Sequence, residues 1–280
     1  MSIKVVVTGA SGFIGKHLVG RLNKLNDLDV IPVYRNGSGP GVRVESYLDT
    51  PSADVLIHLA ENPSVDDVSE DYFIESGALL DSLLMKNFGF VIYASSASVY
   101  GDVSDKQWTE IDIPNCSSAY CRGKMINEEK VLTSNGLVAR ITNVIGPGMS
   151  EGNVLSDILK QFPGKGPIFV RDEKPIRDFI WVEDLVDAFE KLLKCNQSGI
   201  FNIGSGKSLS IRQLVQLAVK LSGDQSRVIK SVRQSVTESS SYISIEKLKS
   251  NCAWEPKTSL IKALGFLLLD RSNKHWENIN

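Results

Sequence analysis

Apolar positions along this chain fall into two spacings. Largely apolar runs occupy 5–7, 30–34, 54–59, 90–94 and 137–141, while Phe13, Ile14, Leu18, Val19 and Leu22, or Tyr72, Ile74, Leu79, Leu80, Leu83 and Leu84, recur at helical spacing. A continuous run suits a strand covered on both faces, and the longer spacing suits a helix lying on that cover. Because the two alternate, the pattern predicts an α/β fold built on a doubly wound parallel sheet. It also predicts a short strand over 42–47 and another over 168–170, with helices over 66–86, 119–133, 153–162, 211–221 and 260–269. A serine-rich stretch over 235–244 reads as a loop.

The first strand passes straight into a glycine turn and a helix in IKVVVTGASGFIGKHLVGRL, residues 3–22. Gly9, Gly12 and Gly15 are spaced G-x-x-G-x-x-G. Such a turn aims backbone N–H groups and the positive end of a helix at one spot, where a pyrophosphate is stabilised. A tight turn with close helix packing would space glycines in the same way. At the end of the second strand, where an acidic residue would accept from an adenosine ribose, stand Tyr34 and Arg35. A guanidinium suits a phosphate, which favours NADP (NADPH) and leaves NAD as the alternative. The other reading of Arg35 is a solvated cation ahead of the loop NGSGPG, 36–41.

Two later stretches carry acid/base chemistry. The strand over 90–94 ends in SSASVYG, and hydroxyls at the carboxyl edge of a parallel strand lie in the ligand crevice. Ser96 is the candidate, Ser95 its neighbour and rival, and a serine-rich turn the plain alternative. Tyr120 and Lys124, four apart on a helix, share one face. A phenol titrates near ~10, and an adjacent ammonium draws it toward neutral pH. Taken alone, Tyr-x-x-x-Lys is also compatible with a solvated helix face. His58 reads as a packed core histidine and Cys121 as packing.

In their order, TGASGFIG, the HLA at 58–60, SSASVYG, Tyr120 with Lys124, NVIGP at 143–147 and RDFIWVED at 177–184 resemble the extended short-chain dehydrogenase/reductases, the nucleotide-sugar epimerases, dehydratases and reductases. The resemblance implies a dinucleotide-binding Rossmann domain over 1–144 with a returning segment about 177–204. It implies a smaller α/β substrate lobe from 145–176 and 205–280. Against the cofactor it places Gly9, Ser11, Gly12, Phe13, Ile14, Gly15, Tyr34, Arg35, Leu59, Ala60 and Lys124. Ser96, Tyr120 and Lys124 become the catalytic set, and Ser96, Asn143, Arg177 and Arg233 the contacts of a nucleotide sugar. Arg177 could instead pair with Asp178 or Glu183. The chain departs from the family in four places. Ile74 replaces an asparagine, Trp181 a histidine, RQSV at 233–236 an R-P-G-D, and Ala97-Ser98 the Asp-Glu pair of the dehydratases. The last departure argues against dehydration.

Composition narrows this little further. A chain of 280 residues with 42% hydrophobic content supports a sizeable core, and a formal charge of -2 offers no attraction for nucleic acid or an acidic membrane. The four cysteines show no C-x-x-C pairing, no metal site is expected, and a cytoplasmic location fits best. The relatives imply a homodimer through the helices over 66–86 and 119–133. The expected activity is NADPH-dependent reduction of the 4-keto group of a nucleotide-linked deoxysugar. A nucleotide-sugar 4-epimerase is the alternative, and a non-catalytic dinucleotide sensor the alternative of another class.

Overall fold

A computed structural model describes residues 2–272 except 38, 62–69, 103–105, 116–117, 196 and 234–238. The chain opens with β1 (Ile3–Thr8), α1 (Phe13–Leu22), β2 (Leu28–Tyr34), β3 (Val42–Arg43), β4 (Val55–His58), α2 (Glu70–Leu84) and β5 (Phe90–Ser96). It continues through α3 (Ala119–Thr133), β6 (Leu137–Ile141), β7 (Asn143–Ile145), α4 (Val154–Leu159), β8 (Ile168–Val170), β9 (Ile176–Trp181), α5 (Val182–Cys195) and β10 (Gly199–Ile203). The last elements are β11 (Ser208–Ser210), α6 (Ile211–Ser222), β12 (Ile229–Ser231), β13 (Ser240–Ser241), α7 (Glu246–Cys252) and α8 (Leu260–Ser272).

A seven-stranded sheet in the order β10-β6-β5-β4-β1-β2-β3 forms the centre, and all its pairings are parallel. The apolar runs are continuous because both faces are covered. Val5 and Val7 join one core with Leu18, Leu22 and Phe189 of α1 and α5, while Val6 joins another with Leu80, Leu83 and Val131 of α2 and α3. Winding reverses between β1 and β4, so the ligand crevice of such a sheet lies at their carboxyl ends. Gly9 follows one strand and Leu59 the other.

A smaller sheet joins β11, β9, β13 and β7, and β12 pairs with β8. Residues of α4, α6 and α8, with Ile168, Val170 and Phe179, close a separate core there. Trp181 sits edge-on to Phe266 of α8, 5.8 Å between ring centres, so it packs this lobe where the family has an imidazole.

Two expectations need correction. The strand expected over 42–47 is paired only at Val42–Arg43 and then turns into a 3₁₀ helix at Tyr47–Asp49, capped by Ser46. The helix expected over 66–86 is helical at Glu70–Leu84, and its first four expected positions lie outside the described residues. The fold also brings Cys195 of α5 against Cys252 of α7, with Cα atoms 5.6 Å apart.

Candidate active site

The glycine turn is shaped by its neighbours. Gly9 has φ +69, and a Cβ there would lie 3.0 Å from the backbone of Leu59 and Ala60, so β1 and β4 meet at this point. A Cβ at Gly15 would fall within 2.2 Å of the Gly9 carbonyl oxygen, which explains glycine where α1 crosses the turn. Gly12 is different: only the Gly9 oxygen, at 3.2 Å, would approach its Cβ. Gly12 is also the N-cap of α1, with no side-chain cap and no acidic residue in the first turn, so the helix end presents free N–H groups. Those features fit a dinucleotide pyrophosphate. Ser11 faces Gly37, Phe13 contacts His17 edge-on at 5.5 Å, and Ile14 packs into the sheet core.

At the end of β2 the two expected residues part company. Tyr34 is buried and its hydroxyl donates to the Gly39 carbonyl at 2.7 Å, shaping the loop. Arg35 lies over the Tyr47 ring, 5.2 Å from its centre, and makes no ion pair among the described residues. Its charge is available to a phosphate.

Adjacent serines of β5 point to opposite sides, as strand geometry demands. The Ser95 hydroxyl donates to Glu128 at 2.5 Å, and Glu128 also holds Arg140, so Ser95 belongs to a buried structural network. Ser96 caps the following 3₁₀ helix, accepting from the Ser98 N–H, and shares a 2.8 Å hydrogen bond with the Ser98 hydroxyl. The Cys121 sulfur lies 3.3 Å from the Ser98 carbonyl, which ties the Ser96 turn to the residue next to Tyr120. Cys121 is buried and packs with Phe73 and Tyr120. Tyr120, in the first turn of α3, is buried edge-on to Phe73 of α2 at 6.0 Å. Gly123 permits that approach, because a Cβ there would strike the Phe73 ring.

Lys124 is where the site departs most from the sequence reading. Its ammonium lies 5.8 Å from the Tyr120 ring centre and donates to the Ala94 carbonyl at 2.8 Å. It also pairs with Glu61 at 2.5 Å, both side chains being 6% exposed. Glu61 further accepts from the Tyr93 hydroxyl at 2.9 Å, the Ser76 hydroxyl at 3.0 Å and the Asn127 amide at 2.9 Å. Burial pushes the Glu61 carboxyl up, and the Lys124 charge acts against it together with the hydrogen bonds donated by Lys124 and Tyr93, so that the carboxyl ends below its ordinary value. Burial pulls the Lys124 ammonium down, and Glu61, with Tyr93 and Tyr120 beside it, acts against burial and holds the ammonium well above the ordinary lysine value. Ile74, at the family's asparagine position, is 70% exposed; Ser76, two residues on, supplies the inward contact instead. The signal for Glu61 was present as a carboxylate directly after the run HLA, where the family has a second alanine.

His58 is the packed histidine expected. Its Nδ1 is 2.8 Å from the Thr8 hydroxyl, its ring stacks on Tyr93, and burial pulls it down to about 4, so it is neutral at pH 7.

The candidate substrate residues are more scattered. Asn143 donates to the Asp178 carbonyl at 3.0 Å. Arg177 pairs with neither Asp178 nor Glu183: it donates to Ser239 Oγ at 2.6 Å and reaches Asp102 at 3.3 Å. Asp178 is buried against the Ser205 and Gly206 N–H groups, and Glu183 meets His17 at 2.7 Å. Arg233 follows β12 at the surface, its N–H donating to the Arg171 carbonyl, and the next residues of the expected motif, 234–236, lie outside the described residues. Among the described residues no cluster could hold a metal ion and no helix is long and apolar enough to cross a membrane.

Comparison with known proteins decides the family. The model of the NAD dependent epimerase/dehydratase family matches residues 5–204. The chain belongs to this family. It is 27% identical over 306 residues to GDP-6-deoxy-D-mannose reductase of Pseudomonas aeruginosa, spanning 99% of this chain and 98% of that protein. It is 26% identical over 303 residues to UDP-glucuronic acid decarboxylase 4 of Arabidopsis thaliana, spanning 96% of this chain and 68% of the plant protein. Its fold superposes on the structure of RMD from Pseudomonas aeruginosa complexed with NADPH with a TM-score of 0.84 and 26% identity, covering 97% of this chain and 99% of the other. A family of NAD-dependent nucleotide-sugar enzymes, with a nicotinamide dinucleotide as cofactor, is thereby supported.

Proposed function

We propose that the chain is an NADPH-dependent reductase of the 4-keto group of a nucleotide-linked sugar. The observation that carries this reading is the Arg35 guanidinium, without an ion pair among the described residues, at the end of β2, on the same sheet whose carboxyl edge bears Ser96, the glycine turn and the adjoining Tyr120 and Lys124. A reductase exchanges its cofactor with the reduced NADP pool, so a phosphate-seeking cation there fits reduction better than internal hydride return. The likeness to a GDP-6-deoxy-D-mannose reductase and to a structure holding NADPH supports the same choice.

When bound, NADPH would supply the hydride for the keto carbon. The uncapped N–H groups of α1 bind and orient a pyrophosphate. Tyr120 donates a proton to the keto oxygen as the C–O double bond becomes single, and solvent restores that proton. The Ser96 hydroxyl stabilises the same oxygen. An ammonium has three donors; Lys124 uses two on Glu61 and Ala94, which leaves one for a ribose hydroxyl. Arg177 and Arg233 are proposed contacts of the diphosphate, with Arg177 leaving Asp102 to make it. The reading also includes a homodimer through α2 and α3, whose exposed Ile74 and Ile126 gain cover in such an assembly.

The test mixes the protein with 4-keto and 4-hydroxy nucleotide sugars, with and without NADPH. One NADPH consumed per keto sugar reduced is expected. Inversion at C4 of a hydroxy sugar with no net change in cofactor would make the protein an epimerase.

A further inference from the structure

Glu61 is a carboxylate partner for the lysine of the Tyr-x-x-x-Lys pair, and the network around it is built rather than incidental. Two helices and two strands converge on it: Ser76 from α2, Asn127 and Lys124 from α3, Tyr93 from β5, and the end of β4, which it follows by three residues. The ionisable groups facing the pair are His58, held neutral by burial, Tyr93, pushed well above its ordinary value by burial, and Tyr120. Of the other charges of α3, Glu128 pairs with Arg140 and Lys130 with Asp81, while Arg122 and Glu129 face outward and are exposed. Lys124 lies 5.8 Å from the Tyr120 ring centre, and a carboxylate sits on it at 2.5 Å.

An ammonium near a phenol stabilises the phenolate, and an equal negative charge bound to that ammonium largely cancels the effect. The direction of reaction depends on this balance. Oxidation of a hydroxy sugar needs the tyrosine as a base, whereas reduction of a keto sugar needs it as an acid. We propose that Glu61 is a positioning residue: by pairing with Lys124 it withholds the lysine's charge from Tyr120 and keeps that phenol protonated, ready to donate to the oxygen of a keto sugar. This rests on the reductase reading and deepens it, since it says how the acid of that reaction is kept in its protonated form.

The test is a tyrosinate absorbance titration of the full chain without added cofactor, in wild type and Glu61→Gln, each with its Tyr120→Phe counterpart subtracted. The Tyr120 signal in Glu61→Gln should rise at a pH lower by about 1 unit or more. In a Lys124→Met background the same substitution should move the Tyr120 signal less, because burial drives a Glu61 without its cation toward the neutral form. For keto-sugar reduction, the alkaline fall of kcat/KM should move down by the same interval. Glu61→Ala, which restores the family's alanine, should behave alike and serves where the glutamine variant does not fold. An unchanged Tyr120 titration in either folded variant overturns the inference. Failure of both variants to fold would also overturn it, by assigning Glu61 to holding α2 on the sheet. Absence of keto-sugar reduction by the wild type, with the titration shift present, would instead defeat the reductase reading and leave the charge relation standing.

Discussion

The glycines of the first turn and helix do different work, and substitution separates them. Gly15 has the Gly9 carbonyl where its Cβ would be, so Gly15→Ala should cost about 1–3 kcal/mol in chemical denaturation as the turn is forced apart. Gly20, on the exposed side of the same helix with nothing near, should accept alanine with a gain of about 0.5–1 kcal/mol. His58 yields a pH signature. Its folded value of about 4 lies below that of an exposed histidine, so the unfolded chain binds the extra proton between the two values. Its contribution is therefore complete above about pH 6.5 and is lost as pH falls toward 4, by up to about 3 kcal/mol. The stability difference between wild type and His58→Asn, measured from pH 7 down to pH 4, should shrink accordingly; a difference independent of pH would mean that the imidazole is not buried neutral. Single residues were also where the sequence was least informative. Ser95 and Ser96 could be told apart only once the strand had a register, and Glu61 acquires meaning only when Lys124 of a helix more than sixty positions on is set against it.

Among the elements, those with long uninterrupted or periodic apolar patterns were legible. The runs that became β1, β4, β5 and β6 are buried on two faces, and such burial leaves no polar alternation to confuse them. The short stretch after β2 was not legible in this way, because Ser46 caps a 3₁₀ turn that competes with strand pairing. Arg177 was read as free for a ligand or bound to a near neighbour in sequence, yet Asp102 and Ser239 are brought to it by separate loops. The end of β2 carries the cofactor prediction. Arg35→Ala should weaken NADPH binding by about tenfold or more, in line with a charge-assisted contact, and leave NADH binding unchanged. Fluorescence titration checks this, and equal losses for both cofactors would show that Arg35 does not read the phosphate.

At the scale of the whole molecule, the reversal of winding between β1 and β4 brings the glycine turn beside Leu59 and Ala60, and β5 sets Ser96 next to them in the sheet order. The sequence foretold that assembly because its motifs occur in the order the topology needs. It left unmarked the contacts between distant segments, including the approach of Cys195 to Cys252. Sedimentation at micromolar concentration should give a homodimer, and Ile74→Glu with Ile126→Glu should shift it toward monomer; a wild-type monomer would remove α2 and α3 as an interface. The central claim is that Tyr120 serves as the acid of a carbonyl reduction. Its most direct measurement is a single turnover, in which protein loaded with NADPH is mixed with a 4-keto nucleotide sugar and the absorbance of the reduced nicotinamide is followed. Wild type should lose that absorbance in step with formation of the 4-hydroxy sugar, while Tyr120→Phe binds NADPH equally well and reacts at least about 100-fold more slowly. A Tyr120→Phe protein that turns over at a near wild-type rate would contradict the account.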